Sequence, residues 1–524
     1  MIGGRRSGVL LPLFSMRSAQ SWGIGEFADL AGVARWLALA GQSFVQFLPI
    51  NEMPPGERSP YSSMTAMALD PIFVAVPRVP DFAGIGGEAA LEPSERSALE
   101  SLREQAGLDY RGVRALKDQC LRRAWERFVR VEYARGSSRA ARLDRFEAEE
   151  AWWLDEYALF RALSAHFADR AWWDWPEVIA TRRPEALREA LAVLDGEIRY
   201  RKYLQWLAAD QWNEARRLAW PVRVFGDLPF MVSANSPDVW ARQDQFRRDA
   251  SVGVPPDAFS ESGQDWGLPP WRWETMAATD FAWVRARATR SAAIYDGFRL
   301  DHLVGLYRTY VRPLDAQAPF FAPIDEPSQL ALGETLVKIY QASGAEITAE
   351  DLGTVPDFVR DSLRHLEVPG YKVLRWERQW NEPGQPFIDP SAYPEIAVAT
   401  PGTHDSETLA EWWTTLDDHD RAAVLGMPSI ARELPDDAKL ASRSTLPGPV
   451  LDAFIKALLT SRARIVILPM QDLFGWSDRI NTPATVGETN WSWRMPWDAE
   501  GLMQEREPLE RAALLLGWTR QADR

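Results

Sequence analysis

Two hydrophobic patterns alternate along the chain. Apolar or apolar–polar runs of about four to eight residues have the period of strands, and apolar residues at every third or fourth position have that of helices. The strand pattern appears at 8–14, 43–50, 222–229, 296–302, 346–350, 368–375, 396–400 and 464–470. Helical patterns fall at 27–40, 328–343, 356–366 and 450–462, and the stretch after 498 reads as a further helix. Eight strands alternating with helices predict an α/β fold, a closed parallel (β/α)8 barrel of the TIM type. A doubly wound open sheet is the alternative. It is disfavoured because no phosphate loop follows the first strand: Gly23-Ile24-Gly25 lacks the third glycine and the downstream acid of a dinucleotide fingerprint.

Two intervals are longer than ordinary barrel connections. Residues 51–220 hold the turn Arg58-Ser59-Pro60-Tyr61-Ser62 and then charged helical stretches from about 95 to 220. A connection of that length must carry its own structure, so an inserted, largely helical subdomain is expected after the second strand. Residues 230–280, after the third strand, are rich in Pro, Gly, Asp and Trp. That composition suits an inserted layer of loops over a site rather than a core element. Residues 1–524 then form a single barrel domain with two insertions, without internal repeat, low-complexity tract or flexible linker.

Composition narrows the class of partner. Hydrophobic residues make up 46% and charged residues 25% of the 524, ordinary for a soluble globular chain. The net charge of −15, with no Lys/Arg run, speaks against binding to a phosphate backbone, so no nucleic-acid partner is expected. The only cysteine, Cys120, allows neither a disulfide framework nor a thiolate metal cluster. Val9 to Phe14 behind Arg5 and Arg6 is too short and mixed for a signal peptide, and no apolar run has transmembrane length. A cytoplasmic enzyme with no membrane partner is the default. Tryptophan is the outlier at 25 residues, clustered at Trp152 and Trp153, at Trp172, Trp173 and Trp175, and at Trp412 and Trp413. Packing of large aromatics between insertions and barrel covers most of them. Flat aromatic faces also stack on sugar rings, which is the functional alternative.

Candidate chemistry lies at three strand ends. In Asp296-Gly297-Phe298-Arg299-Leu300-Asp301-His302, Arg299 and Asp301 fall on the same side of a strand, where a fixed cation can hold a carboxylate ionised. A carboxylate held that way suits nucleophilic attack; a lone Arg-x-Asp is also what a structural ion pair looks like. Glu350 stands where the strand-like run from Glu346 gives way to a loop, and His404 and Asp405 follow the apolar run 396–400. The acids Asp301, Glu350 and Asp405 are spaced 49 and 55 residues apart, room for a helix between each pair. Strand C-termini of such a barrel face the active site. Singly, Asp351 or Asp405 could be a helix cap; three acids together beside an arginine and two histidines are hard to explain that way.

These segments carry a resemblance. Phe298-Arg299-Leu300-Asp301-His302, Ala349-Glu350-Asp351-Leu352-Gly353 and Gly402-Thr403-His404-Asp405 resemble blocks of the α-amylase superfamily. Gly226-Asp227-Leu228-Pro229-Phe230, Gly253 to Asp257, Gly263 to Gly267 and Ser59-Pro60-Tyr61-Ser62 narrow it to the amylomaltase family of 4-α-glucanotransferases. Gln471-Asp472-Leu473, Arg479-Ile480-Asn481 and Asn490 to Arg494 are similar to its C-terminal blocks. The resemblance spans nearly the whole chain. It implies a (β/α)8 barrel without the C-terminal β-domain of amylases, and Asp301 as nucleophile, Glu350 as general acid/base and Asp405 as the third acid that binds and distorts the sugar. It further implies that Arg299 holds Asp301, that His404 and Asp227 contact the donor glucose, and that Ser59, Tyr61, Asp257, Gln264, Trp266 and Asn481 line the substrate groove. Leu268, Phe44-Val45 and Thr482-Pro483-Ala484 depart from the family's usual pattern, which bears on acceptor preference and loop shape.

The activity so implied is cleavage of α-1,4-glucans and maltooligosaccharides with transfer of the glucanyl segment to the 4-hydroxyl of an acceptor. Two carboxylates flanking the bond would do this by retaining double displacement. It needs no cofactor, and the sequence shows no Ca²⁺ loop or His/Cys metal cluster. An α-glucan hydrolase on the same site, or a non-catalytic glucan-binding barrel, are the alternatives.

Overall fold

The structure is a computed structural model describing residues 4–256, 263–315, 317–435, 440–483, 485 and 487–522. Eight parallel strands close into a barrel: Arg6–Leu10, Phe44–Gln46, Arg223–Leu228, Gly297–Leu300, Glu346–Ala349, Gly370–Val373, Ala397–Thr400 and Ile465–Pro469. Each pairs with its neighbours in sequence order, and the first closes on the eighth with Arg6 opposite Ile465 and Leu10 opposite Pro469. The seventh and eighth are buried along their whole length, as expected of parallel strands covered by helices on one face and barrel side chains on the other. Gly8 has a packing reason: a Cβ there would lie 2.5 Å from the Phe44 ring, which stacks on Phe225 at 4.4 Å between centroids.

All eight predicted strands exist, mostly shorter than their apolar runs. The first ends at Leu10 because Leu11 leads into Pro12, which has no N–H for a ladder. The helices between strands follow the predicted positions, including Leu30–Leu39, Glu326–Ala342, Asp357–His365 and Gly448–Leu459. Beyond the eighth strand the described residues hold helices and no strand, ending in Arg506–Ala522. Trp36 of the first helix donates its indole N–H to Pro508 O at 3.0 Å, fixing that last helix to the barrel.

Between the second and third strands run the helices Pro93–Glu104, Tyr110–Phe128, Ser138–His166, Pro184–Val193 and Asp195–Ala219. Their buried faces join the barrel's hydrophobic core. Trp212 lies against Phe27 with centroids 5.3 Å apart and donates to Ile294 O at 2.9 Å.

Pattern reading missed one element. The stretch after the third strand, expected to be loops, contributes Ala250–Val254 and Gln264–Asp265 to a four-stranded antiparallel sheet. The other two strands, Thr309–Pro313 and Phe320–Ala322, follow the fourth barrel strand. Strands of two to five residues leave almost no alternation to detect.

Candidate active site

The site is built on Arg299. Residues paired in register on adjacent parallel strands share a face, and the register pairs Asp227 of the third strand with Arg299 of the fourth. The guanidinium of Arg299 donates to Asp227 Oδ2 at 2.6 Å and lies 2.8 Å from Asp301 Oδ1 and 4.0 Å from Glu350 Oε2. One buried cation therefore touches acids from the ends of three consecutive strands. Burial opposes its charge, but the surrounding acids, Asp227 first, raise its pKa well above the ordinary arginine value. The barrel rim carries an arginine that never deprotonates and a fan of carboxylates around it.

The environments of these acids differ. Burial raises Glu350 to about 7; Arg299 opposes the rise and Asp301 adds to it. Its carboxyl is aimed by two backbone donors, His302 N–H at 2.9 Å on Oε2 and Leu352 N–H at 3.0 Å on Oε1. Asp405 goes the other way. Burial alone would raise it, but His404 and a bond from Asn481 Nδ2 at 2.6 Å hold it at about 2. His404 Nε2 is 3.1 Å from Asp405 Oδ2; burial disfavours its charge, and Asp405 outweighs burial and raises its pKa. Asp227, wholly buried, is raised by burial against the pull of Arg299, and its Oδ1 has no hydrogen-bond partner.

Tyr61 closes this side. Its hydroxyl donates to Asp227 Oδ2 at 2.7 Å, and its ring stacks on His404 at 5.0 Å between centroids. The structure thus gathers Tyr61, Asp227, Arg299, Asp301, Glu350, His404, Asp405 and Asn481 into one set. Gln264 and Trp266 stand on the opposite wall, where Trp266 donates to Gln264 Oε1 at 3.1 Å and its ring lies 4.7 Å from that of His302. Ser59 lines a separate hollow next to Trp491. Asp257 lies outside the described residues.

Three participants were not singled out as site residues from the sequence. His302 follows Asp301 in left-handed backbone at φ 44°, which turns its N–H toward Glu350. Desolvation brings its imidazole down to about 4, so the ring is neutral. Trp491 packs on both Tyr61 and His404. Arg479 donates to the backbone oxygen of Asp405 at 3.2 Å. Each lies inside a motif segment, His302 in the Arg299–His302 stretch and Arg479 and Trp491 in the C-terminal blocks, but no local pattern encodes the course of the loop that brings the last two to the site.

Carboxylates at the C-terminal ends of the fourth, fifth and seventh strands, around one buried arginine, define a (β/α)8-barrel enzyme with its working groups on the rim. The sequence profile of the 4-alpha-glucanotransferase family matches residues 11–500, and the chain belongs to that family and is an enzyme of that type. A 4-alpha-glucanotransferase of Chlamydia pneumoniae is 30% identical over 507 residues, covering 94% of this chain and 91% of the relative. One from Thermus thermophilus is 31% identical, with 88% and 89% covered. Among solved structures, the amylomaltase from Streptococcus agalactiae in complex with acarbose matches with a TM-score of 0.82 at 27% identity, covering 99% of both chains.

Proposed function

We propose that the enzyme transfers α-1,4-glucanyl segments between maltooligosaccharides by retaining double displacement at Asp301 and Glu350. A carboxylate oxygen of Asp301 bonds to the anomeric carbon while the bond to the leaving O4 breaks, and that oxygen takes the proton of Glu350. The 4-hydroxyl of an acceptor then attacks the glycosyl-enzyme, gives its proton to Glu350 and frees Asp301. The observation that carries this reading is the split between the acids. Asp301 is paired with Arg299 at 2.8 Å, whereas Glu350, on the far edge of the same guanidinium, is raised to about 7. One acid is fixed against a guanidinium and the other is ready to lend a proton near neutrality.

Asp405, held at about 2 and fixed by His404 and Asn481, supplies a permanent anion that binds the donor ring and favours its distorted form. The unpartnered Oδ1 of Asp227 is an acceptor for a sugar hydroxyl. Ser59, Tyr61, Gln264 and Trp266 border the groove in this reading, and Asp257 is assigned to it from the family motif. The two long connections serve as an inserted helical subdomain and a cover over the site. No helix among the described residues is long and apolar enough to cross a membrane. Cys120 is buried and free, which suits a reducing compartment such as the cytoplasm.

Incubation with maltotriose tests the reading. Transfer yields a ladder of longer glucans together with glucose. Shortening of all chains without a ladder would make water the acceptor and the protein a hydrolase.

A further inference from the structure

Glu350 divides the rim into two sides. On one side Asp227, Tyr61, His404, Asp405 and Asn481 form a continuous set of bonded and stacked groups. On the other, the residues whose backbone N–H groups hold Glu350, His302 and Leu352, line a hollow of about 160 Å³ to which none of the first set contributes. An acid/base protonates the leaving oxygen, so the hollow beyond it receives the departing glucan and, in the second step, the acceptor.

The outer wall of this hollow comes from the small antiparallel sheet rather than from the barrel. Tyr310 and Phe321 are directly opposed across the pairing of Thr309–Pro313 with Phe320–Ala322. Residues so opposed present side chains on one face; both line the hollow, with ring centroids 5.1 Å apart. The guanidinium of Arg308 lies 4.1 Å from the Phe321 centroid. Its Nε is shut off from solvent and has no hydrogen-bond partner, and burial lowers its pKa. A buried donor without a partner is costly and is satisfied when a ligand brings an acceptor. Flat ring faces beside a fork of donors match a glucose unit, which has apolar faces and a girdle of hydroxyls. His302 and Leu352, tied to Glu350, flank the ring nearest the bond; Tyr310, Phe321 and Arg308 lie where the next ring must run.

We propose that Arg308, Tyr310 and Phe321 form an acceptor platform for the second glucose unit on the leaving-group side. It makes maltose and maltotriose better acceptors than glucose. This rests on Glu350 being the acid/base.

The test uses α-maltotriosyl fluoride as donor, with glucose or maltotriose as acceptor. Fluoride occupies none of the leaving-group side, so the burst of fluoride released in the first turnover, before any acceptor is needed, reports the donor step alone. In the variant Tyr310→Leu/Phe321→Leu the apparent KM for maltotriose should rise about tenfold, the size of one lost stacking contact of ~1.4 kcal/mol. The first-turnover burst of fluoride and the KM for glucose should stay as in the wild type. Phe321→Tyr, which keeps the ring, should retain the wild-type preference, and Arg308→Gln should shift it in the same direction as the double variant. Equal losses with glucose and maltotriose, or no change with either, overturn the platform while leaving the mechanism standing. A fall in the first-turnover burst of fluoride that matches the loss of transfer also overturns it. A wild type that releases fluoride without lengthening either acceptor overturns the transferase reading itself, and the platform with it.

Discussion

Asp301→Asn keeps the shape of the proposed nucleophile and removes its charge. The ion pair with Arg299 at 2.8 Å becomes an ordinary hydrogen bond, so the fold should survive while transfer falls by about a thousandfold or more. Disproportionation of maltotriose, read beside a far-UV circular dichroism spectrum, checks both halves. A folded variant with a tenth of the wild-type rate would remove Asp301 from the role. Glu350 gives a second measurement. Burial raises its pKa from 4.5 to about 7, so kcat/KM on maltotriose should fall on an alkaline limb centred near 7. Glu350→Gln should lose that limb and most of the activity, yet slow the first-turnover burst of fluoride from α-maltotriosyl fluoride much less, because fluoride needs little protonation to leave. The same shift has a stability side. A carboxyl with a raised folded pKa contributes stability that is fully present below 4.5 and lost as pH rises through about 7. Melting temperatures across that window should decline more in the wild type than in Glu350→Gln.

At the scale of elements, the fourth and fifth strands set the distance between the two acids. Their register places Leu300 beside Ala349, one residue before Asp301 and Glu350 respectively. Neighbouring parallel strands with acids at the same height suit the short separation of a retaining enzyme, about 5–5.5 Å, rather than the ~6.5–9.5 Å that leaves room for a water. A crystal structure of Glu350→Gln trapped with a maltooligosaccharide should show that short separation; a gap in the longer range would reassign the mechanism as inverting. These strands were legible in the sequence because Phe298 and Leu300 alternate with Arg299 and Asp301, and Ile347 and Ala349 with Thr348 and Glu350. The acids themselves were legible because each ends an apolar run. The left-handed turn at His302 was not, since nothing local requires it; it is imposed by the bond from its N–H to Glu350. The antiparallel sheet was hidden for a related reason. Its four strands come from two segments more than 40 residues apart in sequence, Ala250–Val254 and Thr309–Pro313 among them, and only tertiary pairing creates it.

The whole molecule poses a question that the barrel alone does not: whether the helices between the second and third strands fold as a separate unit. Three contacts argue that they do not. Trp212, on the last of those helices, donates to Ile294 O, immediately before the fourth barrel strand. Arg216, on the same helix, pairs with Asp296 at 2.8 Å, and Glu150 of Ser138–His166 lies 3.5 Å from Arg290 in the helix that leads into the fourth strand. The long helices thus share polar bonds, as well as the hydrophobic core, with the barrel. Asp81 is the most loaded of the acids that hold the insertion together. It is fully buried and accepts from Arg127 at 2.8 Å, from Arg139 at 2.8 Å and from the Tyr203 hydroxyl at 2.9 Å. Removing it leaves the two guanidinium groups with only the more distant Glu132, at 3.4 Å from Arg127 and 3.7 Å from Arg139; breaking a fully buried pair costs about 3–5 kcal/mol. Arg127 and Arg139 keep 21% and 22% of their side chains exposed, so water screens part of that, and about 2–3 kcal/mol is the expected loss for Asp81→Ala. If insertion and barrel are one cooperative body, this substitution, in the short helix Pro80–Ala83, should shift a single unfolding transition. Helical content and maltotriose disproportionation should then be lost at the same lower denaturant concentration. An early, partial loss of helix signal, with activity persisting to the wild-type midpoint, would show instead that the insertion unfolds on its own.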